Sequence, residues 1–140
     1  KTTEVDGSTV LGVRLRIDYD LPVEVIVRAG DVGGPSAGTM FALAIRDLLT
    51  PGSMTGGKAI AGTGTIDDAG AVGPIGGIRQ KVVGAQAAGA DFFLAPAANC
   101  PDVSGQAPEG LTIVRIATFD EAVAAVAKIA DGSGGLPTCP

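Results

Sequence analysis

Ser36 and Lys81 are the side chains of this sequence best suited to covalent catalysis, and their meaning turns on a residue type the chain lacks. There is no histidine, which excludes Ser-His-Asp and Cys-His arrangements and any histidine-bearing zinc site. A serine hydroxyl becomes an effective nucleophile only when a neighbouring group takes its proton. Here that group must be a carboxylate or a neutral amine. Of the lysines, Lys1 and Lys128 read as solvated and Lys58 opens a strand beside a loop. Lys81 differs. At about 100° per residue it shares an arc with Ile78, Val82, Ala85, Ala88 and Gly89. That places it among small apolar neighbours, where lost hydration favours the neutral amine that a general base must be. The alternative is a boundary lysine whose stem packs while its head reaches water.

Ser36 lies in GGPSAG, residues 33–38, between the apolar runs VEVIV and TMFALAIRDLL. One reading is a serine that caps the following helix. The other is a nucleophile presented on a tight turn. Pro35 restricts the turn, and Gly33, Gly34 and Gly38 allow a substrate backbone to come close. Amides at the helix start, those of Gly34 and Ser36 among them, could then hold the oxyanion of a tetrahedral intermediate. Thr63, in AGTGTI, could orient the Lys81 amine or be a plain strand residue. Asp31, five residues before the serine, is a rival base or a loop carboxylate. Glu24 and Arg79 read as surface charge.

Elements must bring these residues together. Residues 8–18 and 22–29 read as strands, and the helix after GGPSAG is apolar nearly all round, as a central buried helix would be. Thr50, Pro51 and Gly52 end it. KAIAGTGTI (residues 58–66) reads as one strand, DDAG as a turn and AVGPI as a short strand. Gly76 and Gly77 lead into a helix, IRQKVVGAQAAG, which Gly89 ends. DFFLAP and LTIVRI are buried strands, and a last helix starts from Thr118 as N-cap. The alternation predicts a two-layer α/β domain over residues 1–130 with a Gly/Pro-rich tail at 131–140.

The chain's bulk properties narrow the classes. With 140 residues, 46% hydrophobic and 4% aromatic, it fits one domain with an aliphatic core. A net charge of −5 argues against a nucleic-acid partner. The longest uncharged run, residues 32–45, is too short to span a bilayer. A start at Lys1 without methionine suggests a piece of a longer protein. Cys100 and Cys139 show no metal-site spacing. A disulfide pinning the tail is the favoured reading and implies an oxidising, extracytoplasmic setting, whereas two unrelated thiols would suit a reducing cytoplasm.

In combination these blocks say more than each does alone. GGPSAG before an apolar helix, then TGTI, then AVGPIGGIRQKVVGAQAAGAD resembles the proteolytic domain of Lon-type proteases, over residues 22–130. The resemblance implies an α+β, two-layer fold like domain 2 of ribosomal protein S5. It also implies endopeptidase activity through a Ser-Lys dyad of Ser36 and Lys81, with Thr63 supporting the lysine. No cofactor or metal is implied, and the partners are polypeptide substrates and further copies of the chain in a homo-oligomer. The chain departs from many such proteins in having Gly33 where an acidic residue precedes G-P-S, and Thr65 where the strand carries a glutamate. No GxxxxGK[ST] motif occurs, so no ATP-dependence arises within this chain. GDVGGPSAG is most similar to the ATP-independent branch, in which a PDZ module and a membrane anchor lie upstream. Two other readings stay open: a non-catalytic Lon-like assembly domain, and a small-molecule kinase-like domain whose glycine-rich turn cradles phosphate.

Overall fold

FFLAP and TIVRI are apolar along most of their length because both of their faces are covered. The computed structural model describes residues 22–28 and 34–140, and the backbone of residues 2–5 and 8–11. Its strands are β1 (Thr2–Val5), β2 (Ser8–Leu11), β3 (Ile60–Gly62), β4 (Thr65–Ile66), β5 (Val72–Gly73), β6 (Phe92–Pro96) and β7 (Thr112–Ile116). Its helices are α1 (Gly38–Leu49), α2 (Ile78–Ala87), α3 (Cys100–Val103) and α4 (Phe119–Asp131), with single 3₁₀ turns at Pro35–Ala37 and Ala97–Asn99. β1 and β2 pair antiparallel, and so do β4 and β5. The central sheet is parallel in the order β3-β6-β7, with Phe92 opposite both Ile60 and Thr112.

Successive side chains of a strand point to opposite faces. Phe93, Ala95 and Ile113 therefore pack with Ile78, Val82 and Ala85 of α2 and Val103 of α3. Leu94, Val114 and Ile116 pack on the other side with Leu43 of α1 and Ala122, Ala125, Val126 and Ile129 of α4. Burying each of the Val, Leu, Ile and Phe side chains among these contributes about 1.5–3 kcal/mol, and each alanine less. The arrangement around this sheet is thus three layers deep, where the alternation of elements predicts two. The reason is that the connections β3-to-β6 and β6-to-β7 lay their helices on one face, while α4 folds back with α1 onto the other.

The last helix starts as the sequence predicts. Thr118 Oγ1 accepts the Glu121 N–H at 3.1 Å, and Glu121 Oε2 accepts the Ala117 N–H at 2.7 Å. Gly132, left-handed at φ 67°, closes its other end. Beyond it the tail returns to the sheet. Arg115 N–H donates to Pro137 C=O at 2.7 Å and Cys139 N–H to Ile113 C=O at 3.2 Å, so the tail lies antiparallel on β7. Cys139 is disulfide-bonded to Cys100 at the start of α3.

Three expectations need correction. Residues 22–28 form no regular strand and are exposed, because no described strand supplies hydrogen-bond partners to their apolar sequence; the remainder of residues 12–21 and residue 29 lie outside the described residues. KAIAGTGTI breaks into β3 and β4, for reasons that belong to the site. And α1 is not buried all round. It buries Thr39 and Leu43, while Leu48 and Leu49 in its last turn are 86% and 61% exposed, since α1 meets β3, β4 and α4 along one side only. Among the described residues, no helix is long and apolar enough to cross a membrane.

Candidate active site

Ser36 does not cap α1. It is the middle residue of the 3₁₀ turn Pro35–Ala37, and α1 starts after it with Ala37 at the N-cap and no side-chain cap. Gly34 enters the turn at φ 80° and ψ 171°, and Gly38 N–H closes it on Pro35 C=O. The serine is half-buried, and its hydroxyl makes no hydrogen bond to any described residue. What the fold uses is its carbonyl, which accepts the Gly64 N–H at 2.8 Å and the Thr63 hydroxyl at 2.8 Å.

These bonds explain the break in KAIAGTGTI. Through Gly62 the chain pairs with β6, and Thr63 N–H still donates to Leu94 C=O at 3.0 Å. At Gly64 the main chain leaves β6 and turns to the serine. Its N–H goes to Ser36 C=O, and its C=O accepts the Thr39 N–H at 3.0 Å and the Thr39 hydroxyl at 3.2 Å. Gly64 has φ 150°, and a Cβ there would lie 2.7 Å from Thr39 Oγ1 and 2.8 Å from Val72 Cγ1, so only glycine fits. Thr39 and Thr63 are 0% and 2% exposed. The nucleophile candidate is therefore mounted on a buried bracket of main-chain and threonine hydrogen bonds, with its own hydroxyl left over. In this bracket Thr63 donates to Ser36 C=O, and it makes no bond to Lys81. Its oxygen lone pairs remain able to accept from an amine.

Lys81 corrects the helical arithmetic. α2 buries Ile78, Val82 and Ala85, while Lys81, Ala88 and Gly89 are exposed. Lys81 sits some 60° off the centre of the buried stripe. Its backbone is helical, with N–H donating to Gly77 C=O at 3.2 Å, but its ammonium group hydrogen-bonds none of the described residues. The chain runs from the serine bracket to the lysine helix in two steps. β4 follows the Gly64 turn and pairs with β5, Thr65 opposite Gly73, and β5 leads through residues 74–77 into α2.

Thr39 and Asn99 have roles that sequence reasoning misses. Asn99 is buried beside α3 and exchanges hydrogen bonds with the main chain of Ile75. Both residues act on backbone groups 24 or 25 positions away, which leaves no local signal; a polar residue inside an apolar stretch is the only hint. Arg79 is more than a surface charge, because its Nε donates to Asp102 C=O at 2.7 Å. Glu24 is exposed. Asp31, Gly33 and Lys1 lie outside the described residues. No metal-binding cluster of three or more His, Cys, Asp or Glu occurs among the described residues.

Comparison with known proteins places the chain in a family. The model of the Lon protease (S16) C-terminal proteolytic domain matches residues 16–129. Lon protease 1 of Bacillus subtilis is 35% identical over 106 residues, covering 74% of this chain and 13% of that protein. Lon protease of Campylobacter concisus is 35% identical over 116 residues, 79% of this chain and 14% of that protein. Lon protease of Roseiflexus castenholzii is 42% identical over 84 residues, 60% of this chain and 10% of that protein. The chain thus spans a small fraction of these relatives' length. With a family match running from residue 16 through α4 to residue 129, the chain belongs to the Lon protease (S16) C-terminal proteolytic domain family.

Proposed function

We propose that this domain is a serine peptidase in which Ser36 is the nucleophile and Lys81 the general base. The observation that carries the reading is the serine turn. Its carbonyl is held by the buried bracket through the Gly64 N–H and the Thr63 hydroxyl, yet its own hydroxyl is neither a cap nor bonded to a described residue. In the proposed reaction neutral Lys81 takes the Ser36 Oγ proton as the oxygen attacks the scissile carbonyl. Amides of Gly34 and Ser36 stabilise the oxyanion. The lysine then protonates the leaving amine, giving an acyl-enzyme, and water attacks the ester by the same route in reverse roles. Thr63 supports the site by holding Ser36 C=O and by offering its lone pairs to the amine.

Lys81 is exposed in the single chain, so the water exclusion that suits an amine base must be supplied by substrate or by a neighbouring copy. The proposal therefore includes assembly into a homo-oligomer. The fold is a variant of the S5-domain-2-like pattern with helices on both faces of its parallel sheet, no step uses ATP or another cofactor, and a PDZ module and a membrane anchor precede the domain. The disulfide between Cys100 and Cys139 supports an extracytoplasmic setting.

The test is cleavage of an unfolded casein substrate by wild type, Ser36→Ala and Lys81→Ala, with and without ATP, with oligomeric state measured alongside. Cleavage lost in both variants and indifferent to ATP is expected. Because an amine acts as base only when unprotonated, the rate should rise with pH through the neutral-to-alkaline range, and a plateau reaching down to pH 5 would contradict a lysine base. The exposure of Lys81 also favours a second reading, a non-catalytic assembly domain. An assembled wild type that cleaves nothing, and whose assembly survives Ser36→Ala, would establish that instead.

A further inference from the structure

The segment that carries the chain from β5 into the lysine helix consists of Pro74, Ile75, Gly76 and Gly77. Both glycines are exposed, and Gly77 opens α2 at φ 69° with no side-chain cap. Two consecutive glycines cannot hold a direction by themselves. Ile75 can, because Asn99 grips it. Asn99 is 5% exposed, its Oδ1 accepts the Ile75 N–H at 2.9 Å, and its Nδ2 donates to Ile75 C=O at 3.1 Å. This is the reciprocal pair a neighbouring strand would make, supplied by one carboxamide. The second Nδ2 hydrogen goes to Asp102 Oδ2 at 3.1 Å, and Asp102 C=O takes the Arg79 Nε–H at 2.7 Å. The start of α2 is thereby clamped at Ile75 and at Arg79 to residues 99–102, and Lys81 lies two residues further on.

From this we infer that Asn99 is a positioning residue for Lys81: its carboxamide fixes where and at what angle α2 begins, and so where the amine projects. The inference rests on the peptidase reading for its catalytic consequence. Misplacement of a catalytic group by about 1 Å can cost roughly 10²-fold in rate, so a loose Ile75 should be felt at the serine. Asn99→Ala removes the pair. Asn99→Asp keeps the acceptor for the Ile75 N–H, loses both donors and sets a carboxylate against Asp102. Adding Asp102→Asn removes that repulsion.

The experiment uses the 140-residue chain and two readouts. In the casein assay, Asn99→Ala should lower kcat about 10- to 100-fold with KM changed less than about twofold. Asn99→Asp should be impaired, and Asn99→Asp with Asp102→Asn should recover part of the loss. A lowered melting temperature with kcat intact would overturn the assignment, because Asn99 would then be a stabilising residue only. Amide exchange supplies the second readout, independent of cleavage. Asn99→Ala should accelerate exchange of the Ile75 N–H at least about tenfold and loosen the first turn of α2. Unchanged protection from Ile75 through Lys81 would overturn the assignment whatever the assay gives. If wild type shows no Ser36-dependent cleavage, the peptidase reading fails, and the exchange data alone decide whether Asn99 sets α2.

Discussion

Thr63 illustrates how a single hydroxyl can anchor a turn. Its hydrogen is committed to Ser36 C=O, and its oxygen retains lone pairs that can accept a further hydrogen bond. Thr63→Val should cost about 1 kcal/mol of stability, a typical net hydrogen bond, since Gly64 N–H still satisfies the serine carbonyl. Cleavage should fall by more than that stability loss explains, and Thr63→Ser should restore most of it; denaturant unfolding beside the casein assay separates the two effects. The tight turn at Ser36 was legible in the sequence because glycine and proline punctuate it, whereas the bond from Thr63 to the serine carbonyl, 27 residues away, was not. Thr39 and Asn99 were not, because each pairs with main chain some two dozen residues away. Lys81 was legible as a residue type and misread in burial. A stripe of Ile78, Val82 and Ala85 is narrow, and a lysine on its flank extends past the edge.

Among the elements, the break between β3 and β4 is where local preference and tertiary structure part. In KAIAGTGTI only Ile60, Thr63, Thr65 and Ile66 favour strands, and the glycines at 62 and 64 permit a break without specifying that the main chain turns to Ser36 at Gly64. Substituting Gly64→Ala should destabilise the domain by about 2–4 kcal/mol, combining backbone strain with overpacking against Thr39 and Val72. The serine bracket should loosen with it, visible as faster exchange of the Thr39 amide. The parallel strands were easier to read, since burial on two faces leaves an apolar run that length alone separates from a helix. The cap at Thr118 was legible for the opposite reason: its whole hydrogen-bond pattern is local.

For the whole molecule, the sequence indicated the order of elements from β5 onward except the short α3, but not on which face each helix would fall. That depends on the crossovers joining parallel strands, which the pattern of single elements does not encode. The disulfide acts at this scale. It closes a loop across a sequence separation of 39, which in the chain-entropy view stabilises by up to about 4 kcal/mol. Reduction, or replacement of Cys100 and Cys139 by alanine, should lower the melting temperature measurably by calorimetry, and equal melting with and without reductant would contradict this.

The returning tail has one more effect. By occupying the outer margin of β7 it ends the parallel sheet on that side, so that no foreign strand can continue it there. Opening the sulfur bridge would free the final residues to peel away and uncover the Ile113 carbonyl and the Arg115 amide. Reduction would thereby leave an open strand edge of the kind on which chains can pair.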